Sequence, residues 1–160
     1  MNKLKASTNC GFTLIEVMVA LLILSIGLLG LAMLQATNLQ FNTDAYTRTQ
    51  ATLLAYDIID RMRANPTGTS NGDYNIAGNS DYTSKIASCT LATCDCSSAC
   101  NAQALAKYDL WRWYAMQEKY LPGVSTTRST LNVDANNLAR VTINWTEKDI
   151  PRTQTWVVQL

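Results

Sequence analysis

Between Phe12 and Leu34 the sequence reads FTLIEVMVALLILSIGLLGLAML, 23 residues of which 18 are apolar and only Glu16 is charged. A helix crossing a hydrocarbon core of ~30 Å needs ~20 such residues. The run is therefore long enough to span a bilayer, and any fold for this chain must place it there or against other helices. Apolar residues make up 48% of the 160, roughly 77; removing these 18 leaves about 59 in 137, or about 43%, which is ordinary for a globular domain. The composition thus divides into a membrane-inserting N-terminus and one domain of modest size.

The chemistry open to that domain is narrow. There is no histidine among the 160 residues, which removes Ser-His-Asp and Cys-His catalysis, imidazole metal ligation and an imidazole switch near neutral pH. A formal charge of +1, from 13 Lys+Arg and 12 Asp+Glu without a dense basic run, argues against a nucleic-acid partner. No cofactor or metal is expected, and the chain reads as a non-enzyme.

Ahead of the apolar run stand Met1 to Gly11, with Lys3 and Lys5 as the only charged side chains. Positive flanks stay cytoplasmic, so the part after the span faces the periplasm. The run exceeds the 7 to 15 residues of a cleavable secretory signal, and no small-residue cleavage site follows it before Gln35. Hydropathy alone reads as an uncleaved anchor. The junction Gly11-Phe12-Thr13-Leu14-Ile15-Glu16, however, resembles the type IV prepilin signature. That resemblance implies that a prepilin peptidase cuts on the cytoplasmic side between Gly11 and Phe12 and that the new N-terminal Phe12 is methylated. Its expected organisation is a cleaved leader over 1–11, a transmembrane and filament-core helix over 12–34, a periplasmic half of the same helix over 35–65 and a globular periplasmic domain over 66–160.

A carboxylate at the middle of a membrane helix costs ~2.5 to 3.5 kcal/mol on insertion scales. Glu16 lies near the cytoplasmic end, where it either snorkels to the interface or pairs with a positive charge. The nearest such charge is the amine of a cleaved Phe12, in the same chain or in a staggered neighbour. The resemblance favours the neighbour and makes Glu16 an assembly residue. Small residues at Ser25, Gly27, Gly30 and Ala32 suit close helix approach. No proline precedes Pro66, whereas major pilins often carry a helix-breaking proline in this segment.

Beyond Leu34 the polarity changes but the helical period continues, with Ala51, Leu54, Ala55, Ile58 and Met62 on one face and Asp57 and Arg61 paired at i, i+4. Pro66 ends the helix near Asn65. From 12 to 64 the rise is ~80 Å. Residues 66–88 are rich in Gly, Asn, Ser, Thr and Asp and read as loop. Asn101 to Leu121 has helical spacing and stops at Pro122-Gly123. A period of two then predicts a meander of Arg128 to Val133, Leu138 to Thr146 and Arg152 to Leu160, with turns at Asp134 to Asn137 and Glu147 to Pro151. The fold class is α+β, a long N-terminal helix on a small antiparallel sheet, and the prepilin resemblance implies that the two form a pilin-like lollipop.

Cys89, Cys94, Cys96 and Cys100 form C-x4-C-x-C-x3-C. This lacks the widely separated pairs of a structural zinc site, and an oxidising periplasm favours disulfides. A Cys94 to Cys96 bridge would be strained, leaving 89 to 94 with 96 to 100, or 89 to 96 with 94 to 100. Cys10 departs with the leader and leaves an even count. Trp111, Trp113, Trp145 and Trp156 read as core residues rather than ligand platforms. Asp109 is either a buried hydrogen-bonding carboxylate or a solvated one.

The segments Ser25 to Ala32 with Gln35, Cys100…Ala106-x-x-Asp109-x-x-x-Trp113, Leu121-Pro-Gly123 and Val141-x-Ile143-x-Trp145 look like PilV-type minor pilins. This implies a protein of the inner membrane, single-pass with a periplasmic domain, that later joins a pilus at the cell surface and serves assembly, priming, adhesion or twitching motility. The implied partners are the prepilin peptidase, other minor pilins and the major pilin, the inner-membrane assembly platform, a tip adhesin and the inner membrane itself. A minor pseudopilin of a type II secretion system shares the N-terminal signature and is the alternative, although no compact acidic loop of the calcium-binding kind is visible.

Overall fold

A computed structural model describes residues 11–86, 100–124 and 128–160. In chain order the elements are α1 (Leu14–Ala64), α2 (Pro66–Ser70), α3 (Asn79–Lys85), α4 (Ala102–Tyr120), β1 (Thr130–Val133), β2 (Leu138–Glu147) and β3 (Ile150–Gln159). Two compact units divide between Thr43 and Asp44.

The first unit contains the initial part of α1, and every described residue from Gly11 to Thr43 is exposed. α1 is a single α-helix of 51 residues, long and apolar enough to cross a membrane. Its continuity follows from the lack of proline and from helix-compatible Leu, Ile, Ala and Met.

In the second unit the remainder of α1 meets the rest of the chain. Thr47, Ala51, Leu54, Ala55, Ile58, Ile59 and Met62 are buried, a stripe recurring at three and four residues. Against it pack Ala106, Leu110, Trp113 and Tyr114 of α4 and the inward side chains Ala139, Val141, Ile143 and Trp145 of β2. The helix α4 is capped by Asn101, whose side chain accepts from the Ala104 N–H at 2.8 Å. A hydrogen bond of 2.8 Å from Trp113 Nε1 to the Leu54 carbonyl ties α4 to α1.

The sheet order is β1-β2-β3, antiparallel throughout. Between β2 and β3 the turn residues Lys148 and Asp149 take φ of 53° and 63°, as a two-residue hairpin matched to strand twist requires. Between β1 and β2, Asn137 takes φ 58° while Asp134 Oδ1 accepts from the N–H groups of Asn136 and Leu138. Asparagine tolerates that left-handed conformation. Burial alternates along β2 but not along β3, none of whose residues is fully buried.

Residues 66–86 differ from the loop expected. Pro66 opens α2 at its first position, where a missing N–H costs nothing, and the side chain of Asn65 caps it by accepting from Gly68 N at 3.2 Å. A Cβ at Gly68 would fall 2.5 Å from Asn65 Nδ2 and 3.0 Å from the Ala102 carbonyl, so glycine is needed for this approach. α2 ends at Asn71, and Gly72 turns the chain with φ 74°. The short α3 is held through Tyr82, which packs edge-on to Tyr114 at 4.8 Å and beneath the Arg128 guanidinium at 3.9 Å. Tertiary contact stabilises a turn that the local composition disfavours.

Candidate functional site

At the N-terminal end, Gly11, Phe12 and Thr13 precede the helix, which starts at Leu14. The first carbonyl to enter the helical ladder is that of Thr13, which accepts from Glu16 N at 3.1 Å and Val17 N at 3.3 Å. The Gly11–Phe12 peptide bond is thus exposed and outside the helix, with no atom within 4 Å of where a Gly11 Cβ would stand.

Thr13 and Glu16 have the Thr-x-x-Glu spacing of a capping box, and Glu16 N also approaches Thr13 Oγ1 at 3.4 Å. The sequence reading passed over this signal. Glu16 is exposed in the first turn of α1, where a carboxylate complements the positive helix end. Its carboxylate has no hydrogen bond or ion pair among the described residues.

In the second unit, Asp109 is buried and joins three elements. Its Oδ1 accepts from Arg61 Nη1 at 2.9 Å and its Oδ2 accepts from the Tyr74 hydroxyl at 2.7 Å. Arg61 also donates to Asp57 through Nε at 2.9 Å and Nη2 at 3.2 Å. The Asp57 hydrogen bond, followed by that of Asp109, raises the Arg61 pKa against the opposing pull of burial. Burial first, and the bond to Asp109 second, push the Tyr74 hydroxyl well above its ordinary value. Asn65 Nδ2 completes the chain, donating to the Tyr74 hydroxyl at 3.3 Å and to the Ala102 carbonyl at 2.7 Å. A buried carboxylate with both oxygens satisfied is a structural tie, and the buried alternative for Asp109 is the one observed.

A second tie forms at Glu147. Its carboxylate accepts from Arg48 Nε at 3.5 Å, Trp145 Nε1 at 3.0 Å and Arg152 Nε at 2.9 Å. Burial opposes its ionisation, but the bonds from Trp145, Arg48 and Arg152 outweigh it and hold the carboxyl below its usual range. Sequence reasoning assigned Glu147 only to a turn. Of the tryptophans, Trp113 and Trp145 are buried, while Trp111 and Trp156 are partly buried against the same core.

Cys100, just before α4, is disulfide-bonded. Cys89, Cys94 and Cys96 lie outside the described residues, as does Cys10. No group of three or more His, Cys, Asp or Glu able to hold a metal ion occurs among the described residues.

Two family models match adjoining parts of the chain. The prokaryotic N-terminal methylation motif covers residues 7–32, and the family described as type IV pilin Tt1218, Tt1218-like, covers residues 33–111. No curated protein and no solved structure matches the chain. The first match spans the Gly11–Phe12 junction and Glu16; the second spans the rest of α1 and the polar tie through Arg61, Tyr74 and Asp109. Together with the α+β fold, these matches make the chain similar to type IV prepilins over residues 7–111.

Proposed function

We propose that this protein is a minor pilin of the type IV pilus, of the PilV type, whose work is assembly rather than catalysis. The observation that carries the proposal is the Gly11-Phe12…Glu16 junction heading a helix whose apolar residues as far as Leu34 are all exposed among the described residues. Such a surface of leucine, isoleucine and valine is stable only in lipid or against other helices. The chain enters the inner membrane with its C-terminal domain in the periplasm. Prepilin peptidase removes residues 1–11, and Phe12 becomes the methylated N-terminus. In the filament Glu16 of one subunit meets the Phe12 amine of a neighbour and sets the stagger, since a misplaced register would leave a carboxylate unpaired among apolar groups. Cys89, Cys94, Cys96 and Cys100 form two bridges that close the segment between α3 and α4. Other minor pilins, the major pilin, the assembly platform and a tip adhesin are the partners.

Mass spectrometry of the mature N-terminus tests this directly. A methylated Phe12 is the expected result, and an intact Met1 would overturn it. Deleting the protein is expected to impair piliation and twitching; loss of protein secretion with normal pili would assign it to a type II secretion system instead.

A further inference from the structure

Among the described residues β3 has a neighbour on one side only. In an antiparallel ladder, alternate residues direct their N–H and C=O groups to the same side. Ile150 closes the hairpin against Glu147, and Leu160 donates to the Asn137 carbonyl, so the even-numbered residues face β2. The main-chain groups of Thr153, Thr155 and Val157 therefore point away from the sheet.

Proteins usually blunt such edges, and at the opposite edge this one does. There β1 is four residues long, Leu131 exchanges both main-chain hydrogen bonds with Ile76, and Asn75 Oδ1 accepts from Val133 N. Along β3 the stretch Thr153 to Gln159 reads TQTWVVQ, without charge, proline or glycine. Among the described residues one edge is closed and the other left bare.

The bare edge borders a groove. At one end Arg48 of α1 and Arg152 of β3 share the Glu147 carboxylate, and at the other Arg63 of α1 donates to the Gln159 carbonyl at 3.4 Å. From Arg48 to Arg63 the helix rises ~22 Å, and from Arg152 to Gln159 the strand advances ~23 Å. Helix and strand thus run side by side in the same direction for the length of six or seven extended residues. Midway along α1, Tyr56 is 55% exposed. At the Arg48 end the groove opens into a cleft of about 470 Å³ lined by Arg48, Thr52, Trp145, Arg152 and Thr153 among others. Both arginines spend Nε on Glu147, and their Nη groups have no partner among the described residues.

We propose that the free edge of β3 is a strand-addition site, where an extended segment of a second protein pairs with Thr153, Thr155 and Val157 and places a carboxylate against the Nη groups of Arg48 and Arg152. Main-chain pairing supplies affinity and the charged end supplies register. Residues 150–160 contain no Asp or Glu to meet the arginines, so the occupant we assign is an acidic segment of another protein, and a second copy of β3 is the outcome the test must separate from it. This inference rests on β3 and its groove and stands whether or not the leader is processed at Gly11.

The test uses the full chain in its own cells, with a photoreactive benzophenone residue at position 56 and sequencing of the cross-linked peptide. The expected adduct is an extended segment of another protein with Asp or Glu near the end facing Arg48. An adduct with β3 of a second copy, an adduct with a helical segment, or no adduct would overturn the proposal. In the same background Val157→Pro removes one outward N–H and no bond to β2, and is expected to cut adduct yield about threefold to tenfold, as for one net hydrogen bond. Arg48→Gln is expected to cut it about twofold to fivefold. Val157→Lys, a gatekeeper that leaves the ladder intact, is the companion should the proline variant melt early. Unchanged yield in either Val157 variant of native melting temperature would overturn the proposal.

Discussion

The first thirty residues of α1, Leu14 to Thr43, bury no side chain, whereas the next twenty-one, Asp44 to Ala64, bury seven. Both stretches are helical and neither contains proline or breaks the ladder. They differ in where burial comes from. The later stretch is apolar along one stripe and finds its partners in α4 and β2 of the same chain. The earlier one is apolar all round as far as Leu34, as expected of a helix surrounded by lipid or by other helices, and turns polar from Gln35 to Thr43. Secondary structure is therefore continuous where the stabilising solvent is not, and each stretch should respond to different substitutions.

The largest effect is expected at Trp113, fully buried and hydrogen-bonded to Leu54. Trp113→Ala should cost ~3 to 5 kcal/mol in denaturant unfolding of the detergent-solubilised protein. Asp109→Ala comes next, at ~1.5 to 3 kcal/mol, because Arg61 and Tyr74 each lose a bond to a charged acceptor. Asp57→Ala, which removes only the more exposed partner of Arg61, should cost a few tenths of a kcal/mol. A reversal of that order would show that the tie at Asp109 does not anchor the domain.

Stability should also fall at both ends of the pH scale. The folded pKa of Glu147 lies below its unfolded value, so its contribution is present above about pH 4.3 and is lost as pH falls through the folded value. Glu147→Gln should flatten that acid limb in a melting-temperature series. Tyr74 and Tyr114 are both raised by burial, so their contribution is complete below about pH 10 and declines as pH rises beyond it. Tyr74→Phe should soften the alkaline limb.

The smallest effect on unfolding belongs to the first stretch. Leu21→Ala and Glu16→Ala should leave the domain's denaturation midpoint within ~0.5 kcal/mol of the native protein. Glu16→Ala should nevertheless reduce incorporation into filaments, measured by immunoblot of sheared pili. A matching loss of domain stability would erase the distinction between the two stretches, and unimpaired incorporation would remove the register role of Glu16.

Much of this was legible in the sequence because it is written in periodicity. The span at 12–34, the buried stripe from Ala51 to Met62, the helix after Asn101 and the alternation from Ala139 to Trp145 each repeat a signal over several turns or pleats. The ends of the helices hold to within a residue or two, with α1 ending at Ala64 and α4 running from Ala102 to Tyr120. α2 and α3 are too short to show a period. Asn65 followed by Pro66 was a usable start signal for α2, whereas α3 depends on Tyr82 meeting Tyr114 and Arg128 across the fold. The polar ties were illegible for the same reason. Arg61 and Tyr74 reach Asp109 from 48 and 35 residues away, and nothing local distinguishes these side chains from solvated ones. At Thr13 the capping signal was present in four residues but was overshadowed by the processing motif it overlaps.

Asn65 holds the junction of α1, α2 and α4 through its side-chain amide, and the residue after it bears on how the protein ages. Deamidation of asparagine begins when the following main-chain nitrogen attacks the side-chain carbonyl, and proline has no N–H with which to do so. Pro66 thus protects the amide whose conversion to a carboxylate would do most harm. The exposed Asn71, followed by the flexible Gly72, lacks that protection. Chemical wear is directed to a surface turn and away from the joint that holds the domain to its helix.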